Sequence, residues 1–174
     1  MLMAITPDTK DWTWVLKEPC PECGLEAGDV DPTTVADRIR ATLPRWEEAL
    51  GRDDARERPD EHTWSPTEYA CHVRDVFRVF AGRTTLMLEQ DDPLFESWDQ
   101  DETAVADHYD TQDPADVAPQ LVEAGERVAD VFDAVPADAW TRTGRRNDGA
   151  SFTVATLAQY FLHDIEHHLH DVSA

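Results

Sequence analysis

Tyr160-Phe161-Leu162-His163-Asp164-Ile165-Glu166-His167-His168-Leu169-His170-Asp171-Val172, close to the end of the chain, carries two patterns at once. Its apolar residues recur three and four apart, the spacing of one helix face. Between them stand four of the seven histidines and three carboxylates. Imidazole and carboxylate one turn apart on a helix are donors that suit a divalent metal. A fifth histidine, His72, lies in another strongly helical segment, so the two segments are expected to meet around an ion.

A helix turns by about 100° per residue. On that wheel Val154, Leu157, Ala158, Phe161, Ile165, Leu169 and Val172 share one side. His168 falls about 50° from the centre of this stripe and Asp164 about 90°, on the same flank and one turn apart. His163 lies almost opposite the stripe and His167 nearly as far round. That second pair has ligand spacing but is expected to point away from a neighbouring helix. His72 sits about 80° from the apolar centre of its own helix. One imidazole from there and the pair Asp164 and His168 make three ligands, which leaves coordination positions open, as in a catalytic site. A helix C-terminus also favours cations, and this accounts for His170 and bears on His167.

Three further helices follow from start and stop signals. Asp31-Pro32 opens the first, Val35, Ile39, Leu43, Trp46 and Leu50 give it a buried face, and Gly51 ends it. Pro44 within it is expected to kink or split it. Ser65-Pro66-Thr67-Glu68 opens the second with a capping box, followed by Tyr69, His72, Val73, Val76, Phe77 and Phe80. Residues 91–112 form a long connection with room for one short helix. Asp113-Pro114 opens the third, and Pro136 closes it. Residues 137–152 are expected to be loop, and the helix of the histidine cluster starts near Thr153. No core strand, internal repeat or glycine-rich phosphate loop is evident. The expected fold class is all-α: a four-helix bundle with a long crossover connection over residues 31–174, its topology other than simple up-down-up-down. Residues 1–30 are expected to form an irregular arm, with Trp12 and Trp14 pinning it in extended form to the bundle.

The formal net charge of −22 bears on partners. Such a chain repels phosphate backbones and anionic lipid, so neither nucleic acid nor a membrane is an expected partner. No apolar run is long enough to span a bilayer. Met1-Leu2-Met3-Ala4-Ile5 lacks the marks of a signal peptide, and three cysteines without a leader fit a reducing cytoplasm. Only Lys10 and Lys17 represent lysine, a composition that suits a GC-rich genome.

Two stretches resemble the DinB-like (YfiT-like) superfamily of metal-binding four-helix bundles, which includes mycothiol-dependent maleylpyruvate isomerases and bacillithiol transferases. One is Trp64-Ser65-Pro66-Thr67-Glu68-Tyr69-Ala70-Cys71-His72-Val73, where a capped helix delivers a histidine. The other is Asp164-Ile165-Glu166-His167-His168-Leu169-His170-Asp171-Val172, against a family pattern of His or Glu, three residues, His and a small-polar-apolar tail. Aligning that tail implies ligands at Asp164 and His168. The alternative register, His163 and His167, places charged Asp171 where the family is apolar. Asp164 departs from the commoner His or Glu. Being shorter than glutamate, it brings an ion closer to its own helix. The resemblance implies a divalent-metal-dependent thiol S-transferase or isomerase, with zinc as the expected ion and nickel or iron as alternatives. It implies mycothiol as co-substrate, and a small-molecule thiol and an electrophile as partners. A non-catalytic metal-binding or dimerising bundle is the alternative, with a homodimer open to it.

Two features stand outside that pattern. Cys20 and Cys23 in Pro19-Cys20-Pro21-Glu22-Cys23-Gly24 read first as plain thiols in a tight turn, next as half of a metal knuckle that borrows His or Asp ligands, and last as a redox pair. Arg145 and Arg146, just before the last helix, are candidates for gathering an anionic substrate, against simple pairing with Asp148.

Overall fold

The computed structural model describes Ile5 and residues 11–174. Residues 1–4 and 6–10, on which the signal-peptide reading and the start of the arm fall, lie outside the described residues. Four long helices build the body: α1 (Val35–Leu50), α2 (Pro66–Glu89), α4 (Pro114–Asp133) and α5 (Val154–Asp171), with a short α3 (Gln100–Ala106) in the crossover. α4 packs most extensively on α2 and α1, and α5 packs on both α1 and α2. The order around the bundle is therefore α1, α4, α2, α5, so α1 faces α2 and α4 faces α5 across the core. Ile39, Trp46, Phe77, Leu121, Leu157, Phe161 and Ile165 fill that core and are fully buried. Phe161 sits at its centre, with ring contacts to Phe77, Phe80 and Phe132 from the other helices.

Local chemistry sets the helix starts. Asp31 accepts from the Thr33 N–H and begins a 3-10 turn, Pro32–Thr34, that leads into α1. α1 continues through Pro44 and is not split there. One backbone bond is lost at the proline, but buried Leu43 and Trp46 on either side hold the axis, and tertiary packing supplies most helix stability. At α2, Ser65 Oγ accepts from the Glu68 N–H and Glu68 returns an acceptor to the Ser65 N–H at 2.9 Å. Buried Glu68 also receives Arg58, with Arg58 Nε 2.9 Å from Glu68 Oε2. This ion pair and cap fix the start of α2 two turns before His72. Thr153 and Thr156 build the corresponding capping box at α5.

Three short strands modify the all-helical expectation. β1 (Leu94–Phe95) pairs in parallel with β2 (Thr143–Arg146), and β2 pairs antiparallel with β3 (Ser151–Thr153). Runs this short cannot show alternation in sequence, and the β1–β2 pairing joins segments far apart in the chain. The sheet ties the crossover to the start of α5. Asn147 Oδ1 reinforces it by accepting from both Ser97 N–H and Ser97 Oγ–H.

The arm is coiled and not extended. Trp12–Leu16 and Ala27–Asp29 are 3-10 turns that pack on each other and on α5. Gly28 makes this possible, because a Cβ there would meet the Leu16 carbonyl oxygen at 2.2 Å. Gln159 of α5 donates to the Gly28 and Val30 carbonyls, and Arg38 of α1 pairs with Glu166 at 2.7 Å beside them. α5 is thus covered by the bundle on one side and by the arm on the other.

Removing the Glu68 carboxylate breaks the buried ion pair with Arg58 and uncaps α2. Glu68→Ala is expected to lower unfolding stability by about 3 kcal/mol, read from urea denaturation. Glu68→Gln keeps an acceptor for the Ser65 N–H and should lose less. Equal stability of all three proteins would dismiss the pair as an anchor.

Candidate metal centre

The bundle brings His72, Asp164 and His168 together, with one donor atom from each lying within 4.8 Å of the others. His72 Nε2 is 3.6 Å from Asp164 Oδ2, and His168 Nε2 is 3.2 Å from Asp164 Oδ1. Two oxygen or nitrogen ligands on one tetrahedral ion stand about 3.3 Å apart. His72 is 0% exposed, and neither of its ring nitrogens has a hydrogen-bond partner. Buried polar atoms are otherwise nearly always paired, so an ion shared with Asp164 and His168 fits this set.

The surroundings orient each ligand. Asp171 Oδ2 lies 2.8 Å from His168 Nδ1, which turns Nε2 toward Asp164 and His72. This is the carboxylate–histidine support common behind metal-bound imidazoles. Trp98, from the crossover just after β1, stacks parallel to the His72 ring with centroids 5.6 Å apart. Trp64 packs on His72 at 5.6 Å, and Tyr69 covers His168 at 5.1 Å. Asp164 keeps 31% of its side chain exposed and marks the open edge of the site.

Protonation follows from these contacts. Burial pushes His72 below the usual histidine range, and Asp164 only partly opposes it. Burial alone would raise Asp164, but His168 and His72 outweigh it and hold the carboxyl well below the ordinary range. Burial would likewise lower His168, yet Asp164 and Asp171 override it and push the imidazole up to about 9. In the metal-free chain His168 therefore carries a proton that an incoming ion must displace.

The other sequence candidates fall elsewhere. His163 and His167 do not face solvent on the far side of α5. They are 4% and 8% exposed, buried beneath the arm, where Trp12 contacts both rings and Cys20 and Cys23 approach them. A helical wheel ranks faces against the bundle only and carries no information about an arm from the other end of the chain. Cys20, Cys23 and Cys71 are all free thiols. Cys71 is wholly buried beside His72, and burial pushes its thiol up to about 12.

Arg145 and Arg146 both carry carboxylate partners. Arg145 pairs with Asp92 and Arg146 with Asp148, each at 2.8 Å. They diverge as strand neighbours do, and Arg146 alone lies over Tyr160, one turn before Asp164. Buried Arg83 of α2 lies within electrostatic reach of Arg146 and Tyr160. Burial first, and then Arg146, push its guanidinium down to about 10. Asp171, Trp98 and Glu22 were missed as site residues. Asp171 had a legible signal, standing one turn beyond His168 on the same helix; Trp98 and Glu22 had none.

The fold and this constellation define a helical bundle with a cluster of three candidate metal donors between two of its helices. The sequence profile of the DinB superfamily matches residues 35–172, and the chain belongs to that superfamily. Among solved structures it is similar to YfiT from Bacillus subtilis, described as a probable metal-dependent hydrolase with an unusual four-helix bundle topology. The identity is 17%, the match covers 90% of this chain and 88% of that chain, and the TM-score is 0.68. At that identity the likeness establishes a shared fold. No curated protein matches the chain. No helix among the described residues is long and apolar enough to cross a membrane.

Because the folded value of His168 lies above the ordinary ~6.5 of histidine, its contribution to metal-free stability is complete below that pH. The contribution disappears as pH rises through about 9. By NMR, the His168 imidazole of the metal-free chain is expected to titrate near pH 9, and Asp171→Asn should move it down toward the ordinary range. A wild-type midpoint in the ordinary range would contradict the carboxylate account.

Proposed function

We propose that the chain is a divalent-metal-dependent enzyme whose ion is held by His72, Asp164 and His168. The observation that carries this is the fully buried His72, with both ring nitrogens unpartnered and Nε2 directed at Asp164 beside His168. Bound there, a divalent ion such as zinc would lower the pKa of a thiol or water in its open positions and so supply a nucleophile at neutral pH.

The chain's own residues do the remaining work. Asp171 holds the proton on His168 Nδ1 and keeps Nε2 turned inward. Trp98 and Trp64 exclude water from the His72 ring, so a reactant approaches along the exposed edge of Asp164. Arg146 over Tyr160, together with Arg83, supplies positive charge one turn from that edge and favours an anionic reactant. The favoured reaction is transfer of a low-molecular-weight thiol of the mycothiol type to an electrophilic carbon, or an isomerisation that uses such a thiol. This choice rests on the motif resemblance. A second reading, hydrolysis, draws on the description of YfiT and differs only in using water as the nucleophile.

Metal analysis after stripping and reloading tests the centre. His72→Ala and His168→Ala are expected to abolish binding at this site, and Asp171→Asn to weaken it by about 10–100-fold. Unchanged metal affinity in His72→Ala and His168→Ala would refute the centre. With the metal-loaded protein, conjugation of mycothiol to a simple electrophile is expected to require all three ligands. Ester or amide hydrolysis without thiol dependence would favour the second reading, and loading with neither activity would favour a non-catalytic metal-binding bundle.

A further inference from the structure

On the flank of α5 turned away from the first centre, four donors converge. Cys20 and Cys23 come from the arm and His163 and His167 from α5, with one donor atom of each within 4.8 Å of all the others. We propose that Cys20, Cys23, His163 and His167 form a closed tetrahedral site for a zinc ion that fastens the N-terminal arm to α5.

The spacing agrees with such an ion. Cys20 Sγ lies 3.6 Å from His167 Nδ1. A sulfur at about 2.3 Å and a nitrogen at about 2.05 Å from one tetrahedral zinc stand about 3.5 Å apart. His163 is almost wholly buried, and its Nε2 has no hydrogen-bond partner. That atom is a second orphan of the kind found at His72, and a metal would satisfy it. The sequence spacings, Cys-x2-Cys and His-x3-His, are those of Cys2His2 zinc sites.

The backbone prepares both halves. The Gly24 N–H donates to the Cys20 carbonyl at 2.8 Å and the Cys20 N–H donates to the Leu25 carbonyl at 3.0 Å. Gly24 at φ +76° permits this tight turn, which brings the two thiols to one side. On α5, the i, i+4 pair presents both imidazoles on one face. Glu22 Oε2 lies 3.2 Å from His167 Nε2, and Asp171 Oδ1 lies 3.7 Å from it. These carboxylates hold the His167 proton on Nε2 and leave Nδ1 to face the thiols, the support expected behind a metal-bound histidine.

Donor chemistry selects zinc. Two thiolates and two neutral imidazoles form a borderline-soft set that suits Zn(II), and the occupied site is neutral. On binding, each cysteine releases its thiol proton to solvent and all four donors bond to one ion. Without an ion, burial pushes the Cys23 thiol up to about 11, away from the depressed values of redox-active thiols. Trp12 covers both imidazoles, at 5.9 Å from His163 and 5.6 Å from His167. Closed, four-ligand sites serve structure. This one would join residues 147 apart in sequence and brace the helix that carries Asp164 and His168.

The proposal does not depend on the His72 centre, and cobalt substitution separates the two. Only a site with thiolates gives a sulfur-to-cobalt charge-transfer absorption in the near ultraviolet. Cobalt-loaded full-length protein is expected to show this band, His72→Ala to retain it, and the double variant Cys20→Ser, Cys23→Ser to lose it. On the wild type alone, so that a misfolded variant cannot blur the answer, zinc should slow labelling of Cys20 and Cys23 by a thiol reagent about tenfold or more. Absence of the band in folded, cobalt-treated wild type, with labelling unchanged by zinc, would overturn the proposal. Loss of metal in His72→Ala with the band intact would leave it standing.

Discussion

Asp171 divides its carboxylate between two histidines. One oxygen backs His168 at 2.8 Å, and the other faces His167 at 3.7 Å. Buried imidazoles demand partners, and on α5 His163 and His167 are buried and His168 half-buried. Asp164, Asp171 and Glu22 meet most of that demand, and the atoms left over are informative. Both nitrogens of His72 and Nε2 of His163 remain without hydrogen bonds, one histidine on each flank of α5. His72 Nε2 faces Asp164, and His163 lies in the cluster with His167, Cys20 and Cys23.

The supporting structure reflects the same constraint. A helix with imidazoles on both flanks must be covered on both flanks. The bundle and crossover cover one, through Trp64, Trp98 and Tyr69. The arm covers the other, through Trp12 and its pair of 3-10 turns. The small sheet links these layers, since β1 precedes Trp98 and β3 runs directly into α5. Few of these covering contacts are local in sequence. They fix the imidazoles, whose orientation is set by the carboxylates and rings around them.

The acidity of the chain fits this arrangement. Arg38 pairs with Glu166, Arg145 with Asp92 and Arg146 with Asp148.

The amino-acid sequence by itself determined the four long helices, their starts near Asp31, Ser65, Asp113 and Thr153, and the apolar stripe of α5. It also determined which flank holds Asp164 and His168, because helical period, caps and prolines are local rules that residues a few positions apart satisfy together. The uninterrupted α1 lay beyond those rules, since buried Leu43 and Trp46 offset the bond missing at Pro44. So did the three strands, too short to show a pattern before they pair. Only the tertiary structure decided that Trp98 lies on His72 and that His163 and His167 turn toward Cys20 and Cys23. Those contacts join segments up to 147 residues apart, and packing across such distances depends on three-dimensional closure that no periodicity along the chain encodes.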